Sequence, residues 1–156
     1  PVAGMAARPE LLAEFGRRSR YFNTFGGNPV SAAAGIAVLG VIESEGLMQN
    51  AQQAGGYLVK LLGQLRARHS LIAEIRGAGL FVGVELRHGG PTGAPATAEA
   101  ARIVNLLRER RVLISSAGPH GNVLKIRPPL VFGTEHADLL VEALDQALAA
   151  LDAPVN

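Results

Sequence analysis

The sequence has no cysteine among its 156 residues, so it forms no disulfide, binds no zinc through thiolates and uses no cysteine nucleophile. The sequence has no large excess of charge of one sign, because its 15 lysines and arginines nearly equal its 13 aspartates and glutamates in number. This balance is not typical of a nucleic-acid-binding protein. Arg108, Arg110 and Arg111 cluster at the predicted end of a helix, where cations are favoured by the helix dipole. A phosphate or nucleic-acid patch is the alternative interpretation.

The sequence also shows no apolar run long enough to span a membrane and no recognisable signal peptide. The longest apolar run, Val30 to Ile42, is broken by Gly35 and Gly40 and is shorter than the roughly 20 residues that a bilayer requires. The chain opens Pro-Val-Ala-Gly-Met, without an initiator methionine and without the basic-then-apolar order of a signal peptide. We therefore expect an interior piece of a longer chain, with no membrane partner and a cytoplasmic location.

The residues that are present favour an ordinary globular protein, 48% hydrophobic and 18% charged, with one buried core. Hydrophobic periodicity predicts an α+β fold in which helices pack on one face of a small, mostly antiparallel sheet. The apolar helix Val30 to Glu45 is predicted to be buried on both faces, and Thr97 and Thr134 are predicted to cap later helices. The predicted strands are Ile72 to Arg76, Leu80 to Leu86, Val112 to Ser115 and Asn122 to Ile126.

The segment Thr24-Phe25-Gly26-Gly27-Asn28-Pro29 is the most informative part of the sequence. Asn28 is placed to cap the helix that follows, and Pro29 suits its first turn. A hydroxyl, bare backbone N–H groups and a helix N-terminus would then converge, which is a favourable arrangement for an anion such as phosphate. A plain helix-start loop, whose glycines only satisfy turn geometry, is the alternative.

Three segments together resemble the class-III aminotransferases, which are pyridoxal-phosphate (PLP) enzymes of fold type I. The run from Tyr21 to Val30 is similar to one block of that family. Arg76-Gly77-Ala78-Gly79-Leu80 resembles its Arg-Gly-x-Gly-Leu strand pair, and the run from Val123 to Leu130 resembles its terminal Pro-Pro-Leu block. The resemblance extends over residues 1 to about 151, in order and with compatible spacing.

The resemblance implies a homodimer in which the cofactor site is shared between subunits. Thr24, supported by the backbone at Phe25 and Gly26, would bind the phosphate of PLP held by the neighbouring subunit. The lysine that holds the cofactor in this family would lie before Pro1, so the chain alone is expected to be inactive. Residues 1–28 would be the tail of the large PLP-binding domain and residues 29–156 the small C-terminal domain.

Lys125 and Arg127 are the candidate substrate-binding residues. Family members typically carry an arginine three residues before Pro-Pro-Leu that binds the substrate α-carboxylate, and this position is Lys125. Residues two apart on a strand point to the same face, so both side chains could line one pocket. Alternatively, Lys125 extends its ammonium group to solvent at a strand end and Arg127 makes a surface ion pair.

The leading functional hypothesis is transfer of an amino group from an amine or amino acid to an oxo acid by the complete enzyme. A PLP-dependent phospholyase acting on an amino-alcohol phosphate is the first alternative, because Asn-Val-Leu-Lys-Ile before the Pro-Pro pair resembles a branch of the family that includes such enzymes. A lysine at this position would suit a phosphate or a less demanding carboxylate. A noncatalytic α+β binding module is the second. The four histidines have no metal-ligand spacing and are expected at the surface, and Glu85 is expected to be an edge or interface residue.

Overall fold

The computed structural model describes residues 2–151, and the chain divides into two compact units, Pro1–Glu45 and Gly46–Asn156. The domain boundary predicted between residues 28 and 29 stays a prediction. The elements are helices α1 (Pro9–Arg18), α2 (Pro29–Ser44), α3 (Leu47–Arg68), α4 (Thr97–Glu109) and α5 (Thr134–Ala149), and strands β1 (Ile72–Ala78), β2 (Phe81–Leu86), β3 (Ser115–Ala117) and β4 (Val123–Ile126).

The first unit contains α1 and α2. A proline occupies the first turn of each helix, where its missing N–H costs nothing. The prediction that α2 is buried on both faces is wrong for this chain, since Ile36, Val38 and Leu39 are 70%, 59% and 65% exposed. Apolarity all round a helix indicates that it needs cover on every side, and the described residues do not supply that cover.

The second unit contains a four-stranded sheet with the strand order β1-β2-β4-β3. Every adjacent pair is antiparallel. Helices α3 and α4 contact the sheet, and α5 packs against both of those helices. The predicted α+β architecture, with helices layered on a small antiparallel sheet, is confirmed.

The buried core lies between the helices and one face of the sheet. Strands β2 and β4 alternate in side-chain direction, so that Val82, Val84 and Leu124 are at most 1% exposed, whereas Gly83 and Lys125 lie on the opposite, open face. Helix α3 buries an apolar stripe at Ala54, Leu58, Leu62 and Leu65.

A close backbone contact joins α3 to the turn between β1 and β2. A Cβ atom on Gly55 would lie 2.1 Å from the carbonyl oxygen of Gly79, and Gly79 itself has φ +52°. A side chain in place of Gly55 would displace the backbone, and one in place of Gly79 would be strained by the positive φ. The turn between β1 and β2 therefore approaches the backbone of α3 closely at Gly79.

Several predicted boundaries are wrong by one to three residues. Strand β3 begins at Ser115 and not at Val112, because pairing with β4 starts only at the pair Ser115–Lys125. Thr97 is the first residue of α4 and not its cap, and its hydroxyl instead donates to the carbonyl oxygen of His120 at 2.6 Å. Thr134 likewise begins α5 behind Gly133, whose N–H donates to Nδ1 of His136 at 3.1 Å.

Asn122 fixes the end of β2 against the start of β4. Its side chain is 1% exposed and donates to the carbonyl oxygen of Leu86 at 2.8 Å, while the N–H of Leu86 donates to the carbonyl oxygen of Asn122 at 2.9 Å. The Asn122 amide also reaches Glu85 Oε1 at 3.5 Å. These contacts set the register in which Glu85 faces Val123 and Gly83 faces Lys125.

Among residues 2–151, no single helix has both the length and the apolarity to cross a membrane; α2 and α3 satisfy that test only when they are counted together.

Replacing Asn122 by alanine is expected to lower the free energy of unfolding by about 1–2 kcal/mol, because buried hydrogen bonds to Leu86 and Glu85 are lost. Urea denaturation followed by circular dichroism measures the change. Asn105→Ala is the matched control, since Asn105 is exposed and donates only to the carbonyl oxygen of Ala101 within its own helix. Equal effects of the two substitutions would contradict the role given to Asn122.

Glu85 is expected to make stability depend on pH in the acid range. Its pKa lies below the ordinary value, chiefly because it accepts a hydrogen bond from Arg76 and also from Arg87. A carboxylate with a lowered pKa stabilises the folded state fully above its unfolded pKa, about 4.3, and that stabilisation is lost as pH falls further. Glu85→Gln should therefore flatten the acid limb of a Tm-against-pH curve.

Glu74→Gln is the control for this measurement. Glu74 also accepts a hydrogen bond from Arg76, at 2.8 Å, but its side chain is 54% exposed, so solvent screening should leave the acid limb nearly unchanged. An acid limb that is as steep in Glu85→Gln as in the unaltered protein would show that Glu85 does not control it.

Candidate functional site

The loop that carries Thr24 is a tight turn over residues 24–27 that leads directly into α2. Gly27 has φ +73°, a backbone conformation that residues other than glycine rarely adopt. The Asn28 side chain accepts the N–H groups of Val30 and Ser31, both at 3.1 Å. The predicted cap at Asn28 is therefore confirmed, and it occupies two of the amides at the start of α2.

The amides at Phe25 and Gly26 are not bare. The N–H of Phe25 donates to Oδ1 of Asn23 at 3.1 Å, and the N–H of Gly26 donates to the Asn23 carbonyl oxygen at 3.3 Å. The expectation of free amides at these two residues is wrong, because an asparagine side chain in this position closes a local turn. Within residues 2–151, no hydrogen bond engages the hydroxyl or the N–H of Thr24, or the N–H of Gly27.

The turn therefore offers an outside ligand one hydroxyl and two amides. Thr24 is exposed, and it is flanked by Tyr21, Phe22 and Phe25, which are 73%, 86% and 78% exposed. A hydroxyl and backbone amides are suitable donors for a phosphate. The roles of Thr24, Phe25 and Gly26 in cofactor binding stay predictions.

Lys125 and Arg127 line one cavity of about 540 Å³ in the second unit. Lys125 is half-buried in β4, opposite Ser115 on one side and Gly83 on the other, and Arg127 is exposed just beyond the strand end. A cavity of this volume is suited to a small molecule. The shared cavity agrees with the geometry expected for two residues of a substrate site, and their substrate-binding role stays a prediction.

The same cavity is lined by two further basic side chains, Arg111 and His136. No aspartate or glutamate is among the described residues that line it. Arg111, Lys125 and Arg127 also have no ion pair among residues 2–151. The sequence placed Arg111 only in a cluster at the end of a helix. Its position across the cavity from β4 depends on the backbone path of residues 111 to 115.

Lys125 also lines a second cavity, of about 390 Å³, on the open face of the sheet. Arg76 lies on the opposite side of this cavity, and Gly83 lies between them in the strand register. A Cβ atom on Gly83 would approach Cγ1 of Val123 to 3.2 Å. The absence of a side chain at Gly83 therefore keeps the surface beside Lys125 open.

Glu85 neutralises the arginines at the other edge of this face. Its side chain is 11% exposed and accepts hydrogen bonds from Arg76 Nη1 at 2.6 Å and Arg87 Nε at 2.7 Å. Arg87 Nη1 also donates to the carbonyl oxygen of Gly93 at 2.8 Å. Glu85 is thus the centre of a partly buried ion-pair network, which its predicted role as an edge residue did not include.

The histidines do not form a metal site, since residues 2–151 contain no group of three histidine, cysteine or acidic side chains with suitable geometry. His69 is less exposed than predicted, with a side chain that is 15% exposed and Nε2 2.6 Å from Asp145. Asp145 also accepts a hydrogen bond from Arg68 at 2.6 Å. The hydrogen bond with His69, followed by that from Arg68, lowers the pKa of Asp145.

Comparisons with known proteins identify the relatives of this chain. The profile of the aminotransferase class-III family matches residues 1–148. The chain is 46% identical to "Alanine--glyoxylate aminotransferase 2 homolog 2, mitochondrial" of Arabidopsis thaliana, over 97% of this chain and 31% of that protein. It therefore spans about a third of the length of this relative.

Solved structures show the same relationship. A phospholyase from Arthrobacter in complex with phosphoethanolamine is 49% identical, with a TM-score of 0.83, and the match covers 94% of this chain and 34% of that one. An amine transaminase from an uncultivated Pseudomonas species, in its PLP-bound form, is 33% identical with a TM-score of 0.76, over 87% of this chain and 31% of that one.

The profile match covers nearly all of the chain. The chain belongs to the class-III aminotransferase family.

Proposed function

We propose that the complete polypeptide is a PLP-dependent enzyme that transfers an amino group from an amine or amino acid to an oxo acid. This chain would supply a phosphate-binding turn and part of the substrate pocket. The observation that carries the proposal is the Thr24 turn, which presents a hydroxyl and two amides at the start of a helix. Such donors suit a phosphate group.

The cofactor would be held from two sides. Thr24 Oγ1 and the amides of Thr24 and Gly27 would donate to the PLP phosphate, while the hydrogen bonds made by Asn23 and Asn28 keep the turn in shape. The unit Pro1–Glu45 contains no lysine, so the lysine that holds the cofactor would come from polypeptide outside it. PLP, when bound, withdraws electrons from the carbon next to the substrate nitrogen and makes its proton acidic.

A homodimer is part of the proposal, with the Thr24 turn contributing to the cofactor site of the neighbouring subunit. Tyr21, Phe22 and Phe25 support this arrangement, since these three largely exposed aromatic side chains lie within or next to the polar turn in the sequence. Exposed aromatic clusters are typical of surfaces that another chain covers. The turn would then bring its polar donors into an interface that excludes water around the phosphate.

The substrate would bind through Lys125 and Arg127. Both line the cavity of about 540 Å³, and no carboxylate among its described lining residues competes for them. The two cations would hold the acidic group of an amino acid or oxo acid. Lys60, by contrast, is exposed on α3 and has no place in this proposal.

A phospholyase acting on an amino-alcohol phosphate is the second candidate. Two cations in one cavity suit a doubly charged phosphate at least as well as a carboxylate, and lysine lacks the planar fork that fits a carboxylate. The 49% identity with the Arthrobacter phospholyase supports this candidate further. A noncatalytic binding module is the third, and it would require that the complete protein bind no PLP.

Thr24→Ala is expected to weaken PLP binding by the complete protein about tenfold or more, because a hydrogen bond to a charged phosphate is lost. Thr24→Ser keeps the hydroxyl and should bind PLP nearly as well as the unaltered protein. Titration of the apoprotein with PLP, followed by visible absorbance, measures both affinities. Thr134→Ala, at the exposed first residue of α5, is the control and should leave the affinity unchanged.

Equal PLP affinity for the Thr24→Ala protein and the unaltered protein would remove Thr24 from the cofactor site. A complete protein that binds no PLP at all would favour the noncatalytic module instead.

The two reactions are separated by their products. We expect the PLP-loaded protein to transfer the amino group of alanine to glyoxylate and to release no inorganic phosphate from O-phosphoethanolamine. Lys125→Arg should preserve or increase this transfer, because the guanidinium fork binds a carboxylate in two places. Lys125→Met should reduce it at least tenfold, through loss of a charge-assisted contact.

Phosphate release without amino transfer would support the phospholyase, and Lys125→Arg should then slow that release. Lys60→Met is the matched control, since it removes the same charge from an exposed helix position and should change neither reaction. Absence of both reactions in PLP-loaded protein would contradict the proposed donor and acceptor classes.

A further inference from the structure

A segment without helix or strand, from residue 127 to residue 133, joins β4 to α5. Pro128 and Pro129 near its start have no N–H to donate. Within it, the single backbone hydrogen bond runs from the N–H of Phe132 to the carbonyl oxygen of Pro129, at 3.0 Å. Strand pairing ends at Ile126. The segment therefore has few backbone contacts of its own to fix its path.

Burial fixes this segment at one point only. Leu130 and Val131 are 41% and 63% exposed, whereas Phe132 is half-buried and packs against the core. A stretch of chain with few hydrogen bonds and few buried apolar contacts opens at a low free-energy cost. The conformation of the segment therefore depends on hydrogen bonds that reach it from elsewhere in the fold.

Asn50, near the start of α3, supplies two such hydrogen bonds. Its side-chain NH₂ group donates to the carbonyl oxygen of Leu130 at 2.6 Å and to that of Phe132 at 3.1 Å. These bonds use both hydrogens of the amide. Asparagine favours a helix less than alanine or leucine does, so the contact with the segment, and not the helix, accounts for an asparagine at this position.

The segment forms one wall of the cavity of about 540 Å³ that contains the proposed substrate-binding residues. Arg127, Pro128 and Phe132 line this cavity, whereas Asn50 does not. The two hydrogen bonds of Asn50 thus fix the wall from outside the cavity. An effect of Asn50 on a bound substrate would have to act through the residues of that wall.

Lys125 and Arg127 differ in what fixes their positions. Lys125 lies within β4, and it is paired with Ser115 in one neighbouring strand and with Gly83 in the other. Arg127 lies beyond the last pair of β4, and no acidic side chain within residues 2–151 forms an ion pair with it. The position of Arg127 therefore depends on the path of the segment, which Asn50 holds.

We infer that Asn50 is a positioning residue that holds Arg127 in the geometry that binds the substrate. This role rests on the proposed function, in which Lys125 and Arg127 bind the acidic group of the substrate. Loss of the two hydrogen bonds should weaken substrate binding. PLP binding should stay unchanged, because its proposed donors belong to the turn that carries Thr24.

Asn50→Leu tests this role, since leucine has nearly the same shape, has no N–H to donate and favours a helix. In the complete, PLP-loaded protein, we expect the KM for the substrate with the acidic group to rise about fivefold or more, with kcat changed less than about twofold. Partial unfolding would lower the active fraction, and hence the apparent kcat, without raising KM. The split between KM and kcat therefore separates positioning from a loss of stability.

Amide hydrogen exchange measures the segment directly. The Phe132 amide should exchange about fivefold faster or more in Asn50→Leu, because the segment opens more easily. Asn50→Gln keeps the two donors on a longer side chain and should restore part of both effects. Tyr57→Phe is the matched control: it removes a hydrogen bond of 2.8 Å from α3 to Asp138 of α5, and it should change neither KM nor the exchange of Phe132.

A double-mutant cycle identifies the residue through which Asn50 acts. If Asn50 positions Arg127, then Asn50→Leu should raise the KM of the Arg127→Met protein by less than about twofold, because the side chain that it positions is already gone. In the Lys125→Met protein, Asn50→Leu should keep its full effect, since strand pairing fixes Lys125 independently.

An unchanged KM in Asn50→Leu, in protein that transfers the amino group or releases phosphate, would overturn this role and leave the proposed function intact. A full additional effect in Arg127→Met, unchanged exchange at Phe132, or an equal rise of KM in Tyr57→Phe would do the same. Absence of both reactions in PLP-loaded protein would overturn the proposed function, and with it the role of Asn50.

Discussion

The pairing of β2 with β4 in a single register is the constraint on which the candidate substrate site depends. Gly83 faces Lys125 in that register, and a shift by one residue would turn Lys125 into the core. Asn122 holds the register at one end through two hydrogen bonds with Leu86. The polar contact that stabilises the fold therefore also determines which side of the sheet presents the lysine.

Helices and the central strands could be predicted from the sequence because their patterns are local. The apolar stripe of α3 and the alternation in β2 each repeat with the period of their element, and both are buried as that period requires. Strand β3 differs, because Val112, Leu113 and Ile114 favour a strand but lie where no partner strand continues. Pairing is a tertiary property that propensity alone does not determine.

Those residues of the candidate site that lie in family motifs could be predicted from the sequence. The family resemblance selects Thr24, Lys125 and Arg127, and strand alternation predicts that the last two share a face. The hydrogen bonds of Asn23 to Phe25 and Gly26 were not predicted, since they depend on which rotamer and turn the loop adopts. Arg111 was assigned to a helix end because its approach to β4 requires the path of a whole segment, which no local pattern supplies.

The distribution of carboxylates decides which cations of the second unit remain able to bind a ligand. Glu85 accepts hydrogen bonds of 2.6 and 2.7 Å from Arg76 and Arg87. These contacts join strands β1 and β2, and Arg87 also binds the loop at the carbonyl oxygen of Gly93. No acidic residue is among the described residues that line the cavity of Lys125 and Arg127. A cation that is paired with a carboxylate is less available to a ligand, whereas one without such a partner in a cavity is available for an anionic substrate. Arg76 and Lys125 line the same cavity on the open face of the sheet, so what distinguishes the two sets is the presence or absence of a carboxylate partner among the described residues, and the proposed substrate-binding residues belong to the set without one.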